Sequence, residues 1–176
     1  SECEFLGSVN TLINPSKLKN LVYENPIQKN AGLDVYEAPQ KDHNYLITVD
    51  VARGLGNDYS AFIVFDITNF PYKAVAKYRN NEIKPMLFPS IIDDIGKAYN
   101  KAFILCEVND IGDQVASILN YDLEYDNLLM CSQRGRAGQV VGAGFSGKRS
   151  QLGVRTTAAV KKLGCSNLKT LLEDDL

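Results

Sequence analysis

The chain has 176 residues, of which 45% are hydrophobic and 23% charged, and its formal net charge is −2. This length and composition are typical of one globular domain with its own core. Because the net charge is slightly negative, a nucleic-acid partner would have to be contacted through a local basic patch. The four cysteines form no CxxC pair and the chain has one histidine, so we expect no zinc site. No apolar run reaches about 18 residues, so no membrane-spanning helix is predicted.

The first part of the chain is predicted to be an irregular lead-in. Residues 1–40 are broken by Pro15, Pro26 and Pro39, although "LDVYE" could add one edge strand. We expect the compact domain to occupy residues 41–176. The chain begins without methionine, and we expect it to be part of a longer protein.

Three strands are predicted at the start of the compact domain. "YLITVDVA" (45–52) is a β-branched run, typical of a strand buried on both faces. "YSAFIVFDI" (59–67) follows after a short turn, and the two runs predict an antiparallel hairpin. The alternating "YKAVAKYR" (72–79) predicts a third strand.

Helices and strands alternate along the rest of the chain. The predicted elements are a helix at 86–100, a strand at 101–108, a helix at 112–123, a strand at 127–133, a glycine-rich basic loop at 134–150, and one or two helices at 153–175 with a break near Gly164. A hairpin-ordered group of strands followed by this alternation predicts an α/β domain with a mixed β-sheet flanked by helices. This is the strand order of the ribonuclease H-like fold.

Two carboxylates end predicted core strands. Asp50 closes the first strand and Glu107 closes the fourth, and ligands of open α/β sheets gather at such strand ends. If the two strands are neighbours, the carboxylates repel each other unless a cation joins them or one is protonated. Oxygen ligands favour Mg²⁺ or Mn²⁺, and two such ions could support phosphodiester hydrolysis. The alternative is that both residues simply end strands and face water. Asp58 lies in a turn sequence and is a weaker ligand candidate.

The glycine-rich loop carries the second candidate site. Its cations are Arg134, Arg136, Lys148 and Arg149. Arginine and lysine side chains near a metal site suit contacts to nucleic-acid phosphates. The alternative is a solvated loop without a ligand, which accounts for most charged runs.

Five stretches, taken in order, resemble the C-terminal nuclease domain of the large terminase subunit of T-even-like tailed bacteriophages. They are "CEFLGSVNTLI", "YLITVDVARGLGNDYSAFIVFDI", "FILCEVNDIGDQVASIL", "DLEYDNLL" and "GVRTTAAVKKLGCSNLKTLLEDD". The resemblance covers nearly the whole chain. It implies a ribonuclease H/RuvC-like fold and an endonuclease that uses Mg²⁺ or Mn²⁺, with two ions, to cut concatemeric double-stranded viral DNA.

The resemblance also implies partners and a location. The partners are double-stranded DNA, the terminase ATPase domain of the full-length chain, the portal protein and the small terminase subunit. The expected location is the host cytoplasm, transiently on the viral procapsid. Two other functions stay open: another ribonuclease H-like nuclease such as a junction resolvase, and a non-catalytic docking domain of the packaging motor.

Roles for individual residues follow from the same resemblance. Asp50 matches the carboxylate that bridges the metals, and Glu107 the one that holds one metal and orients the attacking water. Asp58 matches an additional acidic position. The third carboxylate of the family lies in a late "HDDLVM"-like stretch, whereas "EDDL" (173–176) has a different register. We therefore expect the third ligand beyond Leu176 and a nuclease domain that is incomplete at its C-terminus.

Overall fold

The computed structural model describes residues 11–53, 55–56, 58–109, 111–133, 139–141 and 150–174. In chain order the elements are α1 (Pro15–Lys19), β1 (Gln28–Asn30), β2 (Leu33–Val35), β3 (Tyr45–Asp50), β4 (Ser60–Asp66), β5 (Lys73–Asn80), α2 (Phe88–Ala98), β6 (Phe103–Cys106), α3 (Gly112–Ser117), β7 (Met130–Ser132), β8 (Val140–Val141), β9 (Ser150–Leu152) and α4 (Ala158–Glu173). A π-helical turn, Ile118–Asp122, continues α3. None of the described helices is long and apolar enough to cross a membrane.

The described residues form two compact units, one of residues 25–156 and one of residues 11–24 with 157–174. In the smaller unit, helix α4 begins at Thr157, whose side-chain oxygen accepts a hydrogen bond from the Val160 N–H. The helix runs through Gly164 without a break, so the single-helix alternative is the one observed. A side chain at Gly164 would meet nothing within 4 Å.

The larger unit contains a six-stranded mixed sheet in the order β1-β2-β5-β4-β3-β6. Strand β6 runs parallel to β3, and every other neighbouring pair is antiparallel. The predicted hairpin and the predicted mixed sheet are therefore confirmed. Strands β1 and β2 extend the sheet with residues from the predicted lead-in, and β1 rather than "LDVYE" forms the edge. The domain boundary after residue 40 stays a prediction.

One face of the sheet holds the core. In β3 the side chains of Tyr45, Ile47 and Val49 are buried, whereas the alternate positions Leu46 and Thr48 are only half-buried. The prediction that this strand is buried on both faces is therefore wrong. The β-branched content of the run reflects strand propensity, and its burial alternates as it does in a sheet packed mainly on one side.

An aromatic cluster joins helix α2 to the buried face. The rings of Phe62 and Tyr78 are stacked with centroids 5.1 Å apart, and Phe88 at the start of α2 stacks on Tyr78 at 5.7 Å. All three side chains are almost fully buried. Pro89 lies in the first turn of α2, as predicted, because a missing N–H is harmless there.

The strand predicted after helix α3 pairs in a second sheet. Strand β7 lies between β8 and β9, antiparallel to both. An isolated parallel bridge between Ile104 and Leu128 connects the segment before β7 to strand β6. Strand β6 is the last strand of the six-stranded sheet on this side. Glu107 follows directly after the end of β6.

Candidate functional site

Asp50 and Glu107 come together because β3 and β6 are parallel neighbours in register. Val49 pairs with Cys106, so the two acidic residues follow directly at the same end of the sheet. The Glu107 N–H donates a hydrogen bond of 2.8 Å to the Val49 carbonyl, which extends the ladder to the site. Both side chains project from the half-buried face, away from the aromatic core.

The electrostatics of the pair show that the two carboxyl groups interact. Partial burial raises the pKa of Asp50, and the negative charge of Glu107 raises it further. A hydrogen bond to Glu107 also favours the protonated form of Asp50, while the Val51 N–H opposes the shift. The Asn109 amide donates a 2.6 Å hydrogen bond to Glu107 Oε1 and fixes that side chain. The pair is thus held together at an electrostatic cost that a cation would offset.

Asp50 lies where two clefts meet. A cleft of about 510 Å³ is lined by Asp50, Val51, Ala52, Arg53, Leu55, Asp58 and Tyr59. A second cleft of about 350 Å³ includes Asp50 and Glu107 among its lining residues. Asp58 therefore shares a cleft with Asp50, and its charge is a small further cause of the raised Asp50 pKa.

The residues present supply oxygen ligands suited to a hard divalent cation. Asp50 and Glu107 offer carboxylate oxygens, and water or a phosphate could complete the coordination of Mg²⁺ or Mn²⁺. Within the described ranges, no group of three or more His, Cys, Asp or Glu side chains is arranged to hold a metal ion. Asp58 is accordingly near the pair without joining it in a three-ligand group.

Two glycines allow other backbone segments to approach the end of β6. A Cβ on Gly112, the first residue of α3, would overlap with the Glu107 carbonyl group. Gly153, with φ of +77°, packs against the Cys106 carbonyl in the same way. Neither glycine was predicted to have this role, although a glycine soon after a strand-ending carboxylate, as at Gly112, is a usable signal for close backbone approach.

The loop between β3 and β4, which carries Asp58, is fastened at two places. The buried Ser60 hydroxyl accepts a hydrogen bond from the Ala52 N–H at 3.0 Å. Gly56 and Asn81 exchange two hydrogen bonds, from the Gly56 N–H to the Asn81 carbonyl at 2.9 Å and from the Asn81 side chain back to Gly56 at 3.0 Å. The end of β5 therefore supports one wall of the larger cleft.

The predicted phosphate-binding cations are not part of the described structure. Arg134, Arg136, Lys148 and Arg149 all lie outside the described residues. Their contact with DNA stays a prediction.

A mixed sheet with helices and an acidic pair at the ends of two parallel strands defines a ribonuclease H-like domain. Residues 47–176 match the terminase RNase H-like domain family, and the chain belongs to that family. The predicted relationship to terminase nuclease domains is confirmed. The match favours a terminase over a junction resolvase.

Solved structures show the same fold. The chain is similar to the large terminase nuclease of thermophilic phage G20c with bound magnesium, with a TM-score of 0.68 and 20% identity over 96% of this chain and 72% of that one. The same nuclease with bound zinc gives a TM-score of 0.64 and 21% identity, covering 94% and 78%. The nuclease domain of Thermus phage P74-26 gives 0.62 and 20%, covering 94% and 69%.

Proposed function

We propose that the chain is the metal-dependent endonuclease domain of a DNA-packaging terminase, acting on concatemeric double-stranded viral DNA. The observation that carries this proposal is the facing pair of Asp50 and Glu107 at the ends of adjacent parallel strands, with the Asp50 pKa raised. Family membership and the metals bound by the G20c nuclease support the same conclusion.

Each acidic residue has a separate role in this proposal. Asp50 and Glu107 would hold two Mg²⁺ or Mn²⁺ ions, with Asp58 as an auxiliary ligand. When bound, such ions lower the pKa of water and stabilise the leaving oxygen of a phosphodiester. The Glu107 carboxylate, fixed by the Asn109 amide, would help to orient the attacking water. Arg134, Arg136, Lys148 and Arg149 would contact DNA phosphates.

The proposed setting is the packaging motor. The terminase ATPase domain, the portal protein and the small terminase subunit are the expected partners, and the procapsid in the host cytoplasm is the expected place of work. A non-catalytic docking domain is the alternative, and it would need no metal at Asp50.

Plasmid cleavage tests the proposal. The chain, an Asp50→Ala variant and a chain extended past Leu176 are incubated with supercoiled plasmid and Mg²⁺ or Mn²⁺. We expect nicking and linearisation by the extended chain, and loss of both on Asp50→Ala in that chain. Absence of cleavage by every chain, together with absence of metal binding at Asp50, would favour the docking domain.

A further inference from the structure

An arginine on β5 lies on the same face of the sheet as the acidic pair. In the register of the sheet, Asp50 on β3 pairs with Ala61 on β4, and Ala61 pairs with Arg79 on β5. Paired residues of neighbouring strands project to the same side. The Cα atoms of Asp50 and Arg79 are therefore about 10 Å apart, two strand spacings. Because the side chain of Ala61 is small, it does not fill the space between the Asp50 and Arg79 side chains.

Arg79 is held in place by an aromatic ring. Its guanidinium carbon is 4.4 Å from the centroid of the Tyr59 ring, and Tyr59 lines the cleft that contains Asp50. The two hydrogen bonds between Gly56 and Asn81 fasten the loop that carries Tyr59 to the end of β5. The φ of Gly56 is +85°, which a residue other than glycine adopts only with strain. The hydrogen bonds between Gly56 and Asn81 thus hold the segments that carry Tyr59 and Arg79 together.

The other cations of β5 are neutralised by carboxylates. Lys77 is 3.6 Å from Asp34, and Lys73 is 3.5 Å from Glu37. Arg79 is exposed, and among the residues that the structure describes it forms neither an ion pair nor a side-chain hydrogen bond. An exposed, preorganised guanidinium next to an acidic site has its donors available for an anion.

We propose that Arg79, stacked on Tyr59, binds a backbone phosphate of duplex DNA beside the acidic pair. This inference rests on the proposed nuclease function, because DNA is the ligand that supplies phosphates there. A DNA strand carries one phosphate per about 3.4 Å of helix axis, so a duplex with one phosphate at Asp50 places others within reach of Arg79. A planar guanidinium can donate two parallel hydrogen bonds to one phosphate, which a lysine cannot.

The test is duplex binding as a function of salt, without divalent metal. Binding of a fluorescein-labelled duplex is followed by anisotropy in EDTA for the wild type, Arg79→Gln and Lys73→Gln. The Lys73→Gln control makes the same change of charge at the other end of the same strand. We expect Arg79→Gln to weaken binding by about threefold to tenfold and to reduce the slope of log K against log salt by about 0.9, the value of one phosphate contact. Lys73→Gln should leave the slope unchanged.

A second variant and a folding control separate a phosphate contact from a structural role. Tyr59→Leu keeps the charge of Arg79 but removes its support, so it should weaken binding while the slope stays that of the wild type. Arg79→Lys should keep the slope and lose part of the affinity. Thermal unfolding of each variant shows whether a loss of binding follows a loss of fold.

Three outcomes overturn the inference: a wild-type slope for Arg79→Gln, an equal loss of slope for Lys73→Gln, or no duplex binding by the wild type at the lowest salt. Plasmid cleavage distinguishes this failure from failure of the nuclease proposal. Cleavage by the chain extended past Leu176, together with an unchanged slope for Arg79→Gln, would contradict the phosphate contact and leave the nuclease proposal intact. A reduced slope for Arg79→Gln without cleavage by any chain would support the phosphate contact and contradict the nuclease proposal.

Discussion

The two ends of the β3–β4 hairpin each carry an aspartate, and their environments are opposite. At one end, partial burial and the charge of Glu107 raise the pKa of Asp50. At the other end, burial alone would raise the pKa of Asp66, but hydrogen bonds from Thr68 and His43 lower it overall. Asp66 Oδ1 accepts from the Thr68 N–H at 2.9 Å, and Asp66 Oδ2 is 2.6 Å from His43 Nδ1.

The Asp66 carboxylate therefore stabilises the fold, whereas the Asp50 carboxylate does not. Asp66 has partners in the chain itself, so its ionised form stabilises the native state. Asp50 faces a like charge, so its ionised form is disfavoured until something outside the described chain compensates. Opposite effects on stability and function are therefore expected from changes at the two positions.

The largest expected effect is at Asp50. Replacing it by Asn removes a metal ligand, and in the chain extended past Leu176 we expect plasmid cleavage to fall by more than about 100-fold, since loss of even an outer-shell partner costs about 10–100-fold. The same change removes the repulsion with Glu107, so the variant should be slightly more stable than the wild type. Cleavage assays and urea unfolding measure the two effects. A variant that loses both activity and stability would show Asp50 to be structural.

The next effect concerns the glycine behind Glu107. In Gly112→Ala the new Cβ collides with the Glu107 carbonyl, and the strand end must shift. We expect a loss of about 1–3 kcal/mol in the free energy of unfolding and weaker Mn²⁺ binding. The matched control is Gly164→Ala, where a Cβ meets open space inside α4 and should stabilise by about 0.5–1 kcal/mol. Equal stabilities for the two variants would contradict the close approach at Gly112.

A smaller effect is expected at Asp66. Asp66→Asn loses charge-assisted hydrogen bonds at a largely buried site, and we expect the free energy of unfolding to fall by about 1–2 kcal/mol. In the chain extended past Leu176, cleavage should be unaffected by this change when measured well below the melting temperature, because this end of the hairpin is distant from Glu107. If Asp66→Asn lost activity while it remained fully folded, the two ends of the hairpin would not differ in function as expected.

The smallest effect is the pH dependence of that stabilisation. Because the folded pKa of Asp66 lies below its ordinary value of 3.8, its contribution is present above that value and is lost as the pH falls through the folded pKa. Urea unfolding from about pH 5 down to about pH 2 should therefore show the wild type and Asp66→Asn converging in stability. A stability difference that stays constant over that range would mean that ionisation of Asp66 is not its cause.

Much of the fold could be predicted from local pattern. The hairpin of β3 and β4, the position of Pro89 in α2 and the strand ending at Cys106 all follow from periodicity and turn chemistry. The second sheet could not be predicted, because β8 and β9 are two and three residues long and their pairing depends on distant chain segments. The half-buried face of β3 was missed because a β-branched run looks the same whether one or both faces are covered.

The candidate site was predictable where it depends on strand ends. Asp50 and Glu107 could be paired because each closes an apolar run, and parallel register brings them together. The stacking of Arg79 on Tyr59 could not be foreseen, since it depends on the register of β4 against β5. Asn109 was missed because an asparagine after a strand usually indicates a turn.

The most direct test of the central claim is Mn²⁺ binding at the acidic end of the sheet. Free Mn²⁺ is followed by electron paramagnetic resonance during titration of the wild type, Asp50→Asn, Glu107→Gln and the control Asp66→Asn. We predict saturable binding by the wild type and by Asp66→Asn, and loss of that binding in both variants of the acidic pair. Binding by Asp50→Asn and Glu107→Gln equal to that of the wild type would contradict the metal site and the nuclease built on it.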